Sequence, residues 1–347
     1  MRLSRHTLLA PLLGAIAAAA VVAGVSLATN STSSRPSESS STTTGRGAAP
    51  AGLALQGAFV KVVQSVSPSV VQIEDQQGLG SGIVFDSRGD IVTNNHVIKG
   101  GTSFTVTTST GKRYPAKLIG AFPPDDVAVI RVSGAGLKPA RFADSSTLQV
   151  GDLTIAIGNP LGLRSSVTNG IVSAFRQGMQ EPNGVTLPSV IQTSAAINPG
   201  NSGGALVDVE GLVIGIPTLA ATDPELGGSA PGIGFALPSN LVKDIAGQIV
   251  ADGKVVDPHR AYLGVTVGDA TNGVVVASVT TGGPAAKAGI HIGDLIVSVD
   301  GQPTSTTALL SEVLAELKPG QTVPVAVTSQ NGAKATVQVT LGTFPGS

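Results

Sequence analysis

Ala195–Leu206 reads AAINPGNSGGAL, and the pentapeptide Gly200-Asn201-Ser202-Gly203-Gly204 within it is the strongest local signal in the chain. A serine nucleophile needs an exposed hydroxyl, an adjacent base and backbone N–H donors converging where an oxyanion forms. Glycines beside Ser202 let the backbone curl so that the N–H groups of Gly200 and Ser202 point to one spot, with Asn201 part of the same loop. A glycine-rich hairpin with an incidental serine has the same local composition, so the rest of the chain decides between the two. The pattern is not the Gly-x-Ser-x-Gly elbow of α/β-hydrolases. Its surroundings are also wrong for that fold. The runs VVQIE, GIVF, IVTNN, FTVTT, VAVIRV, LTIAIG, VIQT and LVIGI recur with turn residues between them, as in an all-β barrel or sandwich.

A base is found by elimination. Of His6, His96, His259 and His291, only His96 falls inside this β-rich unit, in Thr93-Asn94-Asn95-His96-Val97-Ile98 directly after a strand-like run. An isolated histidine is usually unremarkable; pairing with the Ser202 loop makes it a candidate general base. The orienting carboxylate is less constrained. Asp125-Asp126 precedes the apolar run Val127–Ile130, and alternation along that run does not separate the two aspartates. The order His, Asp, Ser along the chain is that of chymotrypsin-like proteases.

Composition bounds the remaining chemistry. The 347 residues exceed one ordinary domain, and 41 % hydrophobic residues suffice for real cores. Zero cysteines exclude disulfides, thiolate zinc sites and a cysteine nucleophile, and the four histidines leave little room for a histidine-built metal site. No metal or cofactor is expected. A net charge of −1 carries no electrostatic footprint for nucleic acid.

The chain divides by texture. Arg2, Arg5 and His6 precede Leu8–Ala28, 21 residues without a charge. At about 1.5 Å per residue this run spans about 31 Å, matching a hydrocarbon core of about 30 Å. Residues 1–28 therefore read as a membrane anchor, with a signal segment cleaved after Ser26-Leu27-Ala28 as the alternative. Either way the rest of the chain lies outside the cytoplasm by the positive-inside rule. Residues 29–52, rich in Ser and Thr, read as a flexible linker. A helix is expected over Leu53–Ser67. Residues 53–256 form the unit carrying the candidate chemistry, closed by a helix over Leu241–Asp252 that Ser239-Asn240 caps and Gly253 stops. Residues 260–343 form a second β-rich unit.

TNNHVI, DDVAVIRV and AAINPGNSGGAL, followed by GIGFALPSNLV, resemble the HtrA (Deg) family of serine proteases, over nearly everything from Phe59 to Gly342. The resemblance implies a mostly β chain: a chymotrypsin-like double β-barrel protease domain followed by a PDZ domain. It implies Asp126 as the third triad member beside His96 and Ser202, and an oxyanion hole from Gly200, Asn201 and Ser202. It also implies that Thr218 lies beside that aspartate and starts the substrate-pairing strand, and that Ile197, Pro217 and Ile233 line the primary specificity pocket. Tyr262-Leu263-Gly264-Val265 looks like a PDZ carboxylate-binding loop, and Thr307–Leu317 like the helix of its peptide groove. The function implied is ATP-independent, extracytoplasmic endoproteolysis of misfolded or damaged proteins, with peptide C-termini as partners of the PDZ domain. The alternative is a catalytically silent PDZ-based chaperone or signalling protein. Three departures stand out. Ser194 replaces the family's usual aspartate, and Pro217 its usual asparagine. Glu74–Ser81 is too short for the long loop that builds cage-like assemblies, so a homotrimer is expected by analogy.

Overall fold

The computed structural model describes residues 50–75, 78–101, 103–159, 166–181, 184–198, 200–223 and 228–346. The anchor or signal segment, and the linker up to residue 49, lie outside the described residues. Pro50–Gly52, expected to end the linker, belong instead to helix α1 (Pro50–Val66). Proline suits a helix's first turn, where its missing N–H is no loss. Among the described residues, no helix is long and apolar enough to cross a membrane.

Two six-stranded antiparallel barrels follow. The first holds β1 (Val70–Glu74), β2 (Leu79–Val84), β3 (Asp90–Asn94), the short helix α2 (Asn95–Ile98), β4 (Phe104–Thr107), β5 (Arg113–Phe122) and β6 (Val127–Val132), closed in the order β1-β2-β3-β6-β5-β4. The second holds β7 (Leu153–Gly158), β8 (Ser166–Gln180), β9 (Thr186–Thr193), β10 (Ala205–Val207), β11 (Val213–Asp223) and β12 (Gly228–Pro238), closed in the order β10-β11-β12-β9-β8-β7. The unbroken apolar runs of the sequence have a simple cause. In β6, Val127 and Val129 face a core shared between the barrels, while Ala128, Ile130 and Val132 face the interior of their own barrel. Strand β7 does the same, with Ile155 and Ile157 in the shared core and Ala156 inside the second barrel. A strand buried on both faces needs no polar alternation.

Helix α3 (Ser239–Asp252) closes the shared core with Val242, Ile245 and Ile249, all buried. Gly253 ends it in the left-handed region at φ 73°, as expected. Its start differs from the expectation. Ser239 and Asn240 lie in the first turn, and neither side chain caps the helix. Ser239 Oγ donates to the Ala143 carbonyl, and Asn240 Nδ2 to Asp144 Oδ1, because the loop ahead of β7 offers acceptors that a cap would forgo.

The second unit comprises β13 (Ala261–Tyr262), β14 (Val265–Ala270), β15 (Gly273–Val279), α4 (Pro284–Lys287), β16 (Leu295–Val299), β17 (Gln302–Pro303), α5 (Thr307–Glu316), β18 (Thr322–Thr328), β19 (Lys334–Thr340) and β20 (Gly342–Thr343). Its own core includes Leu263, Val274, Ile296, Leu310, Val325 and Val339. The Thr306 hydroxyl caps α5 by accepting from Leu309 N. The junction with the barrels combines Phe344, packed against the shared core, with a buried ion pair. Arg260, only 16 % exposed in its side chain, pairs with the fully buried Asp125 at 2.8 Å. It also donates to the carbonyls of Pro124 and Thr186.

Candidate active site

His96 sits in the one-turn helix that follows β3, and Asp126 directly precedes β6. Because β3 and β6 pair in register, Asn94 opposite Val127, Asn95 falls opposite Asp126, and His96 follows within reach of the Asp126 carboxylate. Asp126 lies at φ 53°, a left-handed conformation that aspartate tolerates better than most residues. The turn is fixed by Asn95 N and Asn94 Nδ2, both donating to the Asp126 carbonyl. The carboxylate then does two things. Its Oδ1 accepts the His96 backbone N–H at 2.9 Å, and its Oδ2 stands 2.8 Å from His96 Nδ1. This is the geometry that fixes one imidazole tautomer and presents Nε2 outward.

The structure separates the two aspartates that sequence alternation left equivalent. Asp125 turns away from His96 towards Arg260, and burial, against the pull of that guanidinium, pushes its carboxyl up to about 6. Asp126 faces the imidazole. Burial disfavours the charged form of His96, but the hydrogen bond to Asp126 and the charges of Asp126 and Glu181 outweigh it, so its pKa lies above the ordinary 6.5.

The second barrel supplies Ser202 from the loop before β10. Gly200 and Gly203 hold φ 97° and 80° there, and a Cβ on Gly203 would overlap the Ser81 carbonyl and the Thr93 hydroxyl. Ser81, unremarked in the sequence, latches this loop to β2 of the first barrel. Its N–H donates to the Ser202 carbonyl at 2.9 Å, its hydroxyl donates to the Gly200 carbonyl at 2.6 Å, and that hydroxyl accepts from Asn159 N at 2.8 Å. The only available signal was its position between Gly80 and Gly82, both without room for a side chain. Asn201 is fully buried, with its N–H on the Asn198 carbonyl, and packs the loop against Gly158.

Ser202 Oγ donates to the Thr218 carbonyl at 3.2 Å, and no hydrogen bond joins it to His96 among the described residues. One torsion redirects a serine hydroxyl, and such bonds tighten when substrate binds. Thr218 lies beside the aspartate, its hydroxyl 2.8 Å from Asp126 Oδ2 and 3.0 Å from Glu181 Oε1. Glu181 had no sequence signal, since Glu181-Pro182-Asn183-Gly184 reads as a solvated turn. His96, Asp126 and Glu181 are the described residues whose spacing would suit a metal ion, but both oxygens of Asp126 are committed to His96 and Thr218.

Ile197 is buried and packs on Gly234, where a Cβ would meet it, while Ile233 is 37 % exposed beside it. Pro217 is buried in β11, and its carbonyl accepts Gly203 N at 3.0 Å. Ser194 joins the end of β9 to β8: its hydroxyl accepts Ile171 N and its N–H donates to the Ile171 carbonyl. In the second unit, Arg260, Tyr262, Leu263, Gly264 and Val265 line one side of a cavity of about 180 Å³, and Leu310, Ser311 and Leu314 of α5 the other. Gly264 takes φ 81°, and its carbonyl accepts Thr280 N.

Comparison with known proteins agrees with this architecture. Residues 80–216 match a trypsin-like peptidase domain and residues 261–341 a PDZ domain. The chain is 39 % identical over 310 residues to the serine protease PepD of Mycobacterium tuberculosis, covering 82 % of this chain and 66 % of that protein. It is 44 % identical over 244 residues to the periplasmic serine endoprotease DegP of Escherichia coli, covering 67 % and 50 %. The chain thus spans about half to two thirds of the length of the curated relatives it matches. Among solved structures, the HtrA-type protease AlgW with a decapeptide superposes at TM-score 0.59 and 32 % identity, over 83 % of this chain and 99 % of that one. The serine endoprotease from Yersinia pestis does so at TM-score 0.57 and 34 % identity, over 82 % and 98 %. The chain belongs to the HtrA/DegP family of trypsin-like serine proteases with one C-terminal PDZ domain.

Proposed function

We propose that this protein is an ATP-independent, extracytoplasmic serine endopeptidase that degrades misfolded or damaged proteins. The observation that carries the reading is the Asp126 carboxylate, which engages both the His96 backbone and Nδ1 across from the glycine-held Ser202 loop. In this mechanism His96 Nε2 takes the Ser202 proton as Oγ attacks the scissile carbonyl, and Asp126 stabilises the imidazolium. The Gly200 and Ser202 N–H groups, with Asn201 shaping their loop, stabilise the oxyanion. The leaving amine takes the proton from His96, and water then releases the acyl group by the same steps in reverse. Ser202→Ala should leave the fold intact and lower turnover of casein by up to about 10⁶. Wild-type cleavage by that variant would overturn the assignment, and no cleavage by the parent chain would favour a silent PDZ-based chaperone or signalling protein.

Ile197, Pro217 and Ile233 supply no charge to a primary pocket, so cleavage after Val, Ala or Leu is the reading, and Lys or Arg would be buried unpaired. In the PDZ domain, the loop Tyr262–Val265 would capture a peptide's C-terminal carboxylate, with the apolar cavity under α5 taking its last side chain. Peptides with a free apolar C-terminus should bind, and amidation should abolish binding in titration calorimetry. Equal affinity for both forms would rule the capture out.

The membrane anchor at residues 1–28 remains part of this reading, with secretion after cleavage as the alternative, and several relatives are named as periplasmic. A homotrimer is the proposed assembly. Glu74 pairs with Leu79, which leaves a short hairpin there, and α1 exposes Leu53, Leu55 and Val60 to a partner.

A further inference from the structure

Glu181 is 5 % exposed, at the tip of the β8–β9 hairpin. At that tip Glu181 N donates to the Val185 carbonyl and Gly184 N to the Glu181 carbonyl. The Glu181 side chain accepts from the Thr218 hydroxyl at 3.0 Å. The same hydroxyl is 2.8 Å from Asp126 Oδ2. Thr218 has one hydroxyl hydrogen and two carboxyl groups beside it. Ligating atoms of His96, Asp126 and Glu181 all lie within 4.8 Å of one another. A buried carboxylate is costly unless something in its surroundings compensates it. The positive charge that forms on His96 during proton transfer is such a compensation.

We propose that Glu181 is a positioning residue of the catalytic dyad, sharing the Thr218 hydroxyl hydrogen with Asp126 and placing a second negative charge behind the His96 imidazole. The inference rests on the reading of His96, Asp126 and Ser202 as the triad. With Asp126 alone, the imidazolium would meet one carboxylate; with Glu181 it meets the field of two, and the proton is held on His96 to higher pH. Among the described residues the nearby carboxylates are engaged elsewhere: Asp125 faces Arg260, and Asp90 on β3 faces Arg131 on β6.

The test reads the charge on His96 directly. In the full chain carrying Ser202→Ala, which needs no turnover, the His96 ring is titrated by NMR with and without Glu181→Gln. The near-isosteric amide removes the charge and keeps the packing, and the His96 midpoint should fall by about one unit. Glu181→Ser, a second charge-removing variant, should lower it as well, and Glu181→Asp should restore it. In the Ser202 protein the acidic limb of kcat/KM should move to lower pH by the same amount, with KM unchanged. A folded Glu181→Gln or Glu181→Ser protein whose His96 midpoint is unmoved would reduce Glu181 to a structural residue and overturn the inference. Because the titration is independent of proteolysis, that failure is distinct from a failure of the chain to cleave casein.

Discussion

The two barrels contribute to the site in opposite ways. The first presents side chains: His96 and Asp126 project from turns that end paired strands, and every polar atom of the Asp126 carboxylate is engaged. The second presents backbone: Ser202 rides a loop whose shape depends on Gly200 and Gly203 at positive φ. That loop is tied down mainly by Ser81, which reaches across from the first barrel. The difference teaches where each half of the chemistry is vulnerable. On the proposed reading, acid–base orientation depends on a few strong side-chain contacts, whereas nucleophile placement depends on conformations that only glycine adopts easily and on the seam between barrels.

Of the changes that leave the Ser202 hydroxyl in place, damage to the first barrel's contribution should be the most severe. Asp126→Asn keeps the shape but favours the wrong tautomer of His96, and turnover of a fluorogenic peptide should fall by about 10⁴ with little change in fold. A loss no larger than tenfold would mean that His96 is oriented by the backbone alone.

Arg260 tests whether the barrels also depend on the second unit, since it grips Asp125 of one barrel and the Thr186 carbonyl of the other. Arg260→Met leaves Asp125 buried without its cation and should cost about 3–5 kcal/mol of stability at neutral pH. The sign with pH follows from a folded-state pKa raised to about 6 against an ordinary 3.8. The folded protein keeps this proton longer than the unfolded chain, so ionising Asp125 costs stability as pH rises through that window. Without the pull of that guanidinium Asp125 in Arg260→Met holds its proton to higher pH still, so the penalty should shrink as pH falls towards about 6 and level off below it, where the carboxyl is protonated in both folded proteins. Urea unfolding at several pH values measures it, and a pH-independent penalty would contradict the account.

Ser81→Ala is the mildest break and the most specific to the second barrel. It removes the bond to the Gly200 carbonyl and leaves Asn159 N unsatisfied, about 1–3 kcal/mol, so turnover should fall about ten- to a hundredfold. The His96 titration should not move, because no atom of the first barrel's dyad is touched. A shifted titration would mean that the two contributions are not separable.

Much of this was legible in sequence, for reasons the structure makes plain. The short Val- and Ile-rich runs are strands buried on both faces, so their composition survives even where alternation does not. The Ser202 loop stood out for its backbone needs and His96 by elimination, whereas Asp126, and Thr218 beside it, came through family resemblance. Glu181 and Ser81 were not legible. A glutamate in a Pro-Asn-Gly turn looks solvated, and its inward partner Thr218 lies 37 positions along the chain. Ser81 acts on residues 78 and 119 positions away, and no local pattern encodes such a partner. Residue pattern alone likewise left Asp125 and Asp126 equivalent, and the resemblance chose Asp126; the physical reason involves a distant residue, Arg260, which takes Asp125.

The central claim is that His96 activates Ser202 as a nucleophile. Its most direct test is the rate at which an alkyl fluorophosphonate labels the intact protein between pH 5 and 9, with the modified peptide identified by mass spectrometry. Since the pKa of His96 is raised above the ordinary 6.5, labelling should map to Ser202 and rise about tenfold per unit at low pH. It should level off above that value and vanish in His96→Ala. Labelling that is independent of pH, or undiminished in His96→Ala, would contradict the account.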